Sequence, residues 1–111
     1  MIETLEALHN LDSIMSTPNL DGIYIGPSDL SLAIGQKPLF DNPEGSPTYE
    51  KILEILECAK KYNIITGVHN ASVDYAKKMI DLGFNIVTVG SDKISMQSNA
   101  SNILKKLKNI D

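Results

Sequence analysis

Apolar positions along the chain follow two alternating rhythms. Across residues 4–16, Leu5, Leu8, Leu11 and Met15 recur at helical spacing, with Thr4 placed to cap the start and Pro18 just past the end. Ser46-Pro47 opens a clearer helix, in which Tyr49, Ile52, Leu53, Leu56 and Ala59 keep the i, i+3, i+4, i+7 rhythm and Lys60-Lys61 fall in the last turn. A third helix, from about Ser72 to Leu82, turns Ala76, Met79 and Ile80 inward and stops at Gly83. A fourth, from about Lys93 to Lys108, carries Ile94, Ala100, Ile103, Leu104 and Leu107.

Between these helices lie short β-branched runs at 21–25, 64–68 and 85–89, of the kind found in buried parallel strands, and Met1-Ile2 reads as the stump of a fourth. Strands separated by amphipathic helices predict an α/β fold with right-handed crossovers and a parallel sheet. The connection from Gly26 to Gly45 is the exception: about twenty residues rich in turn signals, with room for a short helix at 28–34, and loops this long are commonly functional.

Parallel α/β proteins bind ligands at the carboxyl ends of their strands. The polar residues expected there are Glu3-Thr4, Gly26-Pro27-Ser28-Asp29, His69-Asn70 and Gly90-Ser91-Asp92. Glu3 and Asp29 follow adjacent strands, so two carboxylates could meet a hard divalent ion such as Mg²⁺ or Mn²⁺. Either could instead cap the next helix. The backbone of the Gly26–Asp29 turn can offer N–H groups to a small carboxylate. His69 is a candidate general base or ligand, with a plain polar rim residue as the competing reading. Asp92 is expected to cap or abut the last helix, and His9 to be solvated near Glu6 and Asp12. Cys58 falls within an apolar helix pattern and reads as core.

Composition narrows the field. The 111 residues carry ten basic side chains, all lysine, against fourteen acids, for a net charge of −4, and only six aromatics. That balance argues against a nucleic-acid or anionic-membrane surface. No apolar run approaches the 18 or so residues of a membrane span and no signal peptide is readable, so a cytoplasmic location is expected. One cysteine excludes an intrachain disulfide and a thiolate metal cluster. None of the lysines falls in an expected strand, which counts against Schiff-base chemistry, and neither GxGxxG nor GxxxxGK[ST] occurs.

Four segments together, Met1-Ile-Glu-Thr4, Asn10-Leu-Asp12, Asp21-Gly-Ile-Tyr-Ile-Gly-Pro-Ser-Asp-Leu-Ser31 and Val87-Thr-Val-Gly-Ser-Asp92, resemble the HpcH/HpaI family of metal-dependent 2-oxo-acid aldolases. Its members include 4-hydroxy-2-oxoheptanedioate and 2-keto-3-deoxyglucarate aldolases. The resemblance implies a (β/α)₈ barrel of roughly 250 residues, of which this chain would supply the second half, from the end of strand five to helix eight. The opening Met would then stand at an internal position, as expected of a truncated or split reading frame or a cut fragment.

Carried over by position, Glu3 and Asp29 match the family's metal ligands for Mg²⁺ or Mn²⁺, with Co²⁺ as a further option. Gly26 and Ser28 match residues whose backbone amides, beside Asp29, hold the carboxylate of pyruvate. Met1 stands where many members have a substrate-contacting Gln and others have Met. The family's catalytic His and essential Arg would lie in the absent half: neither His9 nor His69 matches that His, and the sequence contains no Arg. The chemistry implied is reversible aldol cleavage of a 4-hydroxy-2-oxo acid to pyruvate and an aldehyde, with this chain inactive alone. A citrate lyase β-subunit or malyl-CoA lyase relative is the nearest enzyme alternative, and a non-catalytic remnant that binds metal weakly is the alternative from another class. The expected partners are pyruvate or a related 2-oxo acid and either another copy of the chain or a missing N-terminal half.

Overall fold

The computed structural model describes residues 1–109, which form α1 (Leu5–His9), α2 (Leu11–Met15), β1 (Gly22–Ile25), α3 (Pro27–Ala33), α4 (Pro47–Lys61), β2 (Ile65–Asn70), α5 (Val73–Leu82), β3 (Ile86–Val89) and α6 (Asp92–Leu107). The sheet order is β1-β2-β3 and both pairings are parallel, with Ile25 opposite Val68 and Val68 opposite Val87. Met1-Ile2 adds a fourth parallel segment: Ile2 bridges Ile25, and its N–H donates to the Tyr24 carbonyl at 2.8 Å. Among the described residues no helix is long and apolar enough to cross a membrane.

Side chains alternate across a strand, so this register assigns them to two faces. Ile25, Val68 and Val87 share one face, and Tyr24, Gly67, His69, Ile86 and Thr88 share the other. Helices cover the first, where Ile25 and Val68 are buried with Leu30, Ile52, Ile55, Leu56, Ala59 and Met79. The second is uncovered, leaving Ile65 46% and Ile86 52% exposed. The result is an open parallel sheet with a single helical layer.

Several expectations need correction. The helix expected over 4–16 is two, broken at Asn10. The Asn10 side chain donates to the Glu6 carbonyl at 2.7 Å, the acceptor that a continuous helix would give to the Asn10 backbone N–H, which bonds Ala7 O instead. The second strand does not end at Val68 but runs on through His69 and Asn70. Ile80, expected inward, is 54% exposed, because α5 buries the narrower stripe of Tyr75, Ala76 and Met79. No residue of α6 is buried, so Ile94, Ile103, Leu104 and Leu107 stand in solvent. Cys58 is only partly buried; desolvation pushes its thiol pKa up, which suits a packing role and not a nucleophile.

A surface cluster ties α2 to α4. Asp12 Oδ1 accepts from Lys61 Nζ at 3.1 Å and from Tyr62 Oη at 2.9 Å. These hydrogen bonds, to Lys61 first, hold the Asp12 carboxyl below its ordinary pKa of 3.8. A group lowered by folding stabilises above its unfolded pKa and loses that contribution as pH falls through the folded value. Asp12→Asn is therefore expected to be less stable than the parent at pH 7, with the difference shrinking below about pH 4. Urea unfolding at both pH values checks this, and a pH-independent difference would contradict it.

Candidate metal and substrate site

Pairing of Ile2 with Ile25 sets Glu3 beside Gly26, at the carboxyl ends of the stump and β1. Glu3 Oε2 is buried and has no hydrogen-bond partner among the described residues. A Cβ at Gly26 would overlap that oxygen, so the absence of a side chain at Gly26 is what lets the carboxylate lie there. Buried carboxylate oxygens are normally paired or coordinated. An orphaned one at the carboxyl end of a strand fits a hard cation.

Neither carboxylate is a helix cap. Thr4 caps α1, its Oγ1 accepting from the Ala7 N–H at 3.1 Å, and Gly26 occupies the N-cap of α3. Asp29 is exposed in the first turn of α3, where the helix dipole favours a negative charge. Pro27 brings no N–H, and Gly26 has no side chain to cap the Ser28 N–H. The Gly26 N–H, matched by resemblance to a substrate-carboxylate donor, is directed instead to the Ile2 carbonyl at 3.4 Å. Ser28 is thus the freer of the two donors. Among the described residues no group of three or more His, Cys, Asp or Glu side chains converges, so these residues supply at most two such ligands to a cation here.

His69 is not on a rim loop. It sits in β2 on the uncovered face, its Nδ1 2.8 Å from Thr88 Oγ1, and the same hydroxyl bonds Tyr24 Oη. Gly67, opposite Tyr24 in register, leaves room for the Tyr24 ring to cross β2. Phe40 meets the His69 ring edge-on, with centroids 4.7 Å apart. Asn70, expected beside His69, lies on the covered face and is fully buried, its Nδ2 donating to Val68 O and Thr88 O at 3.2 Å each. Asp92 abuts the start of α6 as expected, accepting from the Lys93 N–H at 2.7 Å, with Ser91 as the cap. His9 is exposed.

Sequence reading passed over Asp41. Its carboxylate accepts from the Ala71 N–H at 2.7 Å, the Ser72 N–H at 2.9 Å and the Ser72 hydroxyl at 2.6 Å, fastening the long loop to the entry of α5 and bringing Phe40 against His69. An Asp just before Asn-Pro reads as an ordinary turn signal, and nothing local reveals a partner thirty residues on.

The fold recurs in solved structures. A HpcH/HpaI aldolase/citrate lyase family protein from Burkholderia cenocepacia superposes with a TM-score of 0.84 at 19% identity, covering 96% of this chain and 40% of that one. A HpcH/HpaI aldolase from Desulfitobacterium hafniense gives 0.80 at 22% identity, covering 98% and 41%. In sequence, a hydroxypyruvate/pyruvate aldolase of Rhizorhabdus wittichii is 35% identical over 104 residues, which is 94% of this chain and 41% of that protein. A 4-hydroxy-2-oxo-heptane-1,7-dioate aldolase of Shigella sonnei is 37% identical over 92 residues, 82% of this chain and 34% of that protein. The chain thus spans well under half the length of these curated relatives. With residues 1–99 matching the family described as HpcH/HpaI aldolase/citrate lyase, the chain belongs to that family.

Proposed function

We propose that Glu3 and Asp29 form the metal-holding wall of a carbon–carbon lyase site that cleaves a 4-hydroxy-2-oxo acid to pyruvate and an aldehyde, using Mg²⁺ or Mn²⁺, with Co²⁺ as a substitute. The observation that carries this reading is the buried, unpartnered Glu3 Oε2 against Gly26. A bound divalent ion would polarise the 2-oxo group as a Lewis acid. Ser28 offers its backbone N–H to the substrate carboxylate, with a smaller share from Gly26. Cleavage moves the C4 hydroxyl proton to a base, passes the C3–C4 bonding pair toward the 2-oxo carbonyl, and returns a proton to C3. This chain supplies no Arg for the developing charge, and its one histidine near the strand ends, His69, is hydrogen-bonded to Thr88. Activity therefore requires residues from elsewhere. The sequence relatives at 35% and 37% identity are named as aldolases, which favours this reading over a citrate lyase or malyl-CoA lyase type.

Mn²⁺ titration followed by water-proton relaxation tests the wall directly. The parent is expected to bind weakly, and Asp29→Ala, Glu3→Gln and Gly26→Ala to lose about ten-fold or more in affinity, the last because its new methyl group displaces Glu3. Superimposable curves for parent and Asp29→Ala would sink the assignment.

A further inference from the structure

We propose that His69 and Phe40 form the wall that takes the part of the 2-oxo acid beyond C3, the fragment that leaves as the aldehyde, and that Asp41 positions this wall from the long loop. This rests on the assignment of Glu3, Asp29 and Ser28 to the metal and the oxo-acid end, and adds to it the specificity side of the same site.

Register sets the wall opposite the carboxylate. Ile2 pairs with Ile25, Ile25 with Val68 and Val68 with Val87, so one residue further on Glu3, Gly26, His69 and Thr88 share a rung and a face at the carboxyl ends of the parallel segments. Neighbouring strands lie about 4.8 Å apart, so about 10 Å of that rung separates Glu3 from His69. Glu3 Oε2 reaches across the first half of the gap, because it lies where a Cβ of Gly26 would stand. The second half, roughly 5 Å, is a span that an oxo-acid chain of a few carbons can cross.

The His69 ring is held from two sides. Its Nδ1 lies 2.8 Å from Thr88 Oγ1, and Tyr24, from the rung below, crosses Gly67 to bond the same hydroxyl. Nε2 is therefore the ring nitrogen left to meet a ligand. Phe40 packs edge-on against the ring, with centroids 4.7 Å apart. One hydrogen-bonding nitrogen beside an apolar ring suits a C4 hydroxyl followed by an uncharged carbon substituent.

Phe40 belongs to neither a helix nor a strand, and lies in the 34–46 connection. Its neighbour Asp41 fastens that connection: Oδ1 accepts from the Ala71 N–H at 2.7 Å, and Oδ2 from the Ser72 N–H at 2.9 Å and the Ser72 hydroxyl at 2.6 Å. Ala71 and Ser72 directly follow β2, so the latch ties Phe40 to the segment that carries His69. Both carboxylate oxygens act as acceptors. Asp41→Asn replaces one of them with a donor and breaks the latch at nearly constant size.

NMR spectra of the 111-residue chain in Mg²⁺, with pyruvate or with 4-hydroxy-2-oxopentanoate, test this. Both acids should shift the Ser28 amide, since both carry the 2-oxo acid end, and the longer one alone should shift His69 Hε1 and the Phe40 ring protons. Asp41→Asn and Phe40→Ala should each displace His69 Hε1 before any acid is added, then abolish its response to the longer acid while the Ser28 response persists. Ser28 shifts with His69 and Phe40 unmoved, or moved equally by pyruvate, would overturn the wall and leave the oxo-acid end standing. No Ser28 shift with either acid would overturn both. An unmoved His69 Hε1 in Asp41→Asn would overturn the latch, and His69 and Phe40 signals at unstructured-chain positions in the parent would overturn the whole proposal. The comparison of the two acids in the parent does not depend on whether a variant folds.

Discussion

Co-expressed with the N-terminal half of a family member, the 111-residue chain is expected to release pyruvate from a 4-hydroxy-2-oxo acid in a Mg²⁺- or Mn²⁺-dependent reaction, while alone it stays near background. The asymmetry follows from the division of labour. In the proposed site Glu3, Asp29 and the Ser28 N–H would orient an ion and a 2-oxo acid, but the chain has no Arg, and its candidate base His69 is engaged with Thr88. A positioned acid–base group contributes about 10²–10⁴-fold, and a donor aimed at developing charge about 10²–10³-fold. The combined deficit is therefore about 10⁴ or more in rate. A second copy of this chain brings no Arg either, so self-association should not restore turnover. Pyruvate is measured by coupling to lactate dehydrogenase, and Asp29→Ala in the reconstituted pair should return it to background. Clear metal-dependent turnover by the chain alone would contradict this division and place the base at His69, which His69→Ala would then reveal.

Leu56→Ala is expected to destabilise the fold by about 2–5 kcal/mol, the range for deleting a buried leucine and leaving a cavity. Leu56 is 1% exposed on α4, the helix that covers the centre of the sheet, among Ile52, Ile55 and Ala59. Domains of this kind have about 5–15 kcal/mol in hand, and here one face of the sheet carries no helix. A change of this size should lower the melting temperature by about 10 °C or more. Ile80→Ala is the matched contrast: an apolar residue on α5, expected inward from its spacing yet largely exposed, should change stability by no more than about 0.5 kcal/mol. Equal losses at the two positions would show that α5 buries Ile80 in solution.

The candidate site was legible in part. Gly-Pro-Ser-Asp, leading from the end of β1 into α3, and Glu3 just after the stump, stand out because strand ends carry the polar residues of parallel folds, and their order along the chain places them on neighbouring segments. That neither is a helix cap could not be read, since Thr4 and Gly26 compete for the same position and only backbone geometry decides between candidates one residue apart. The burial of Glu3 Oε2 was equally hidden, because it depends on Gly26 approaching across a strand pair. Asp41 escaped notice because its three partners are contributed by a different βα unit.

By itself the sequence determined what short-range forces control. Thr4, Ser46-Pro47 and Gly83 punctuate the helices where backbone N–H groups or a left-handed turn need them, Gly83 adopting a φ of 108°. The β-branched runs between them specified a parallel α/β chain. Tertiary structure decided what depends on which surface meets which. It carried β2 through His69 and Asn70, because β3 pairs with both. It left Ile80 and the whole of α6 in solvent, because an apolar stripe states only that a face can be buried. Whether it is buried depends on a strand or helix arriving opposite, and along the outer edge of β3 none among the described residues does.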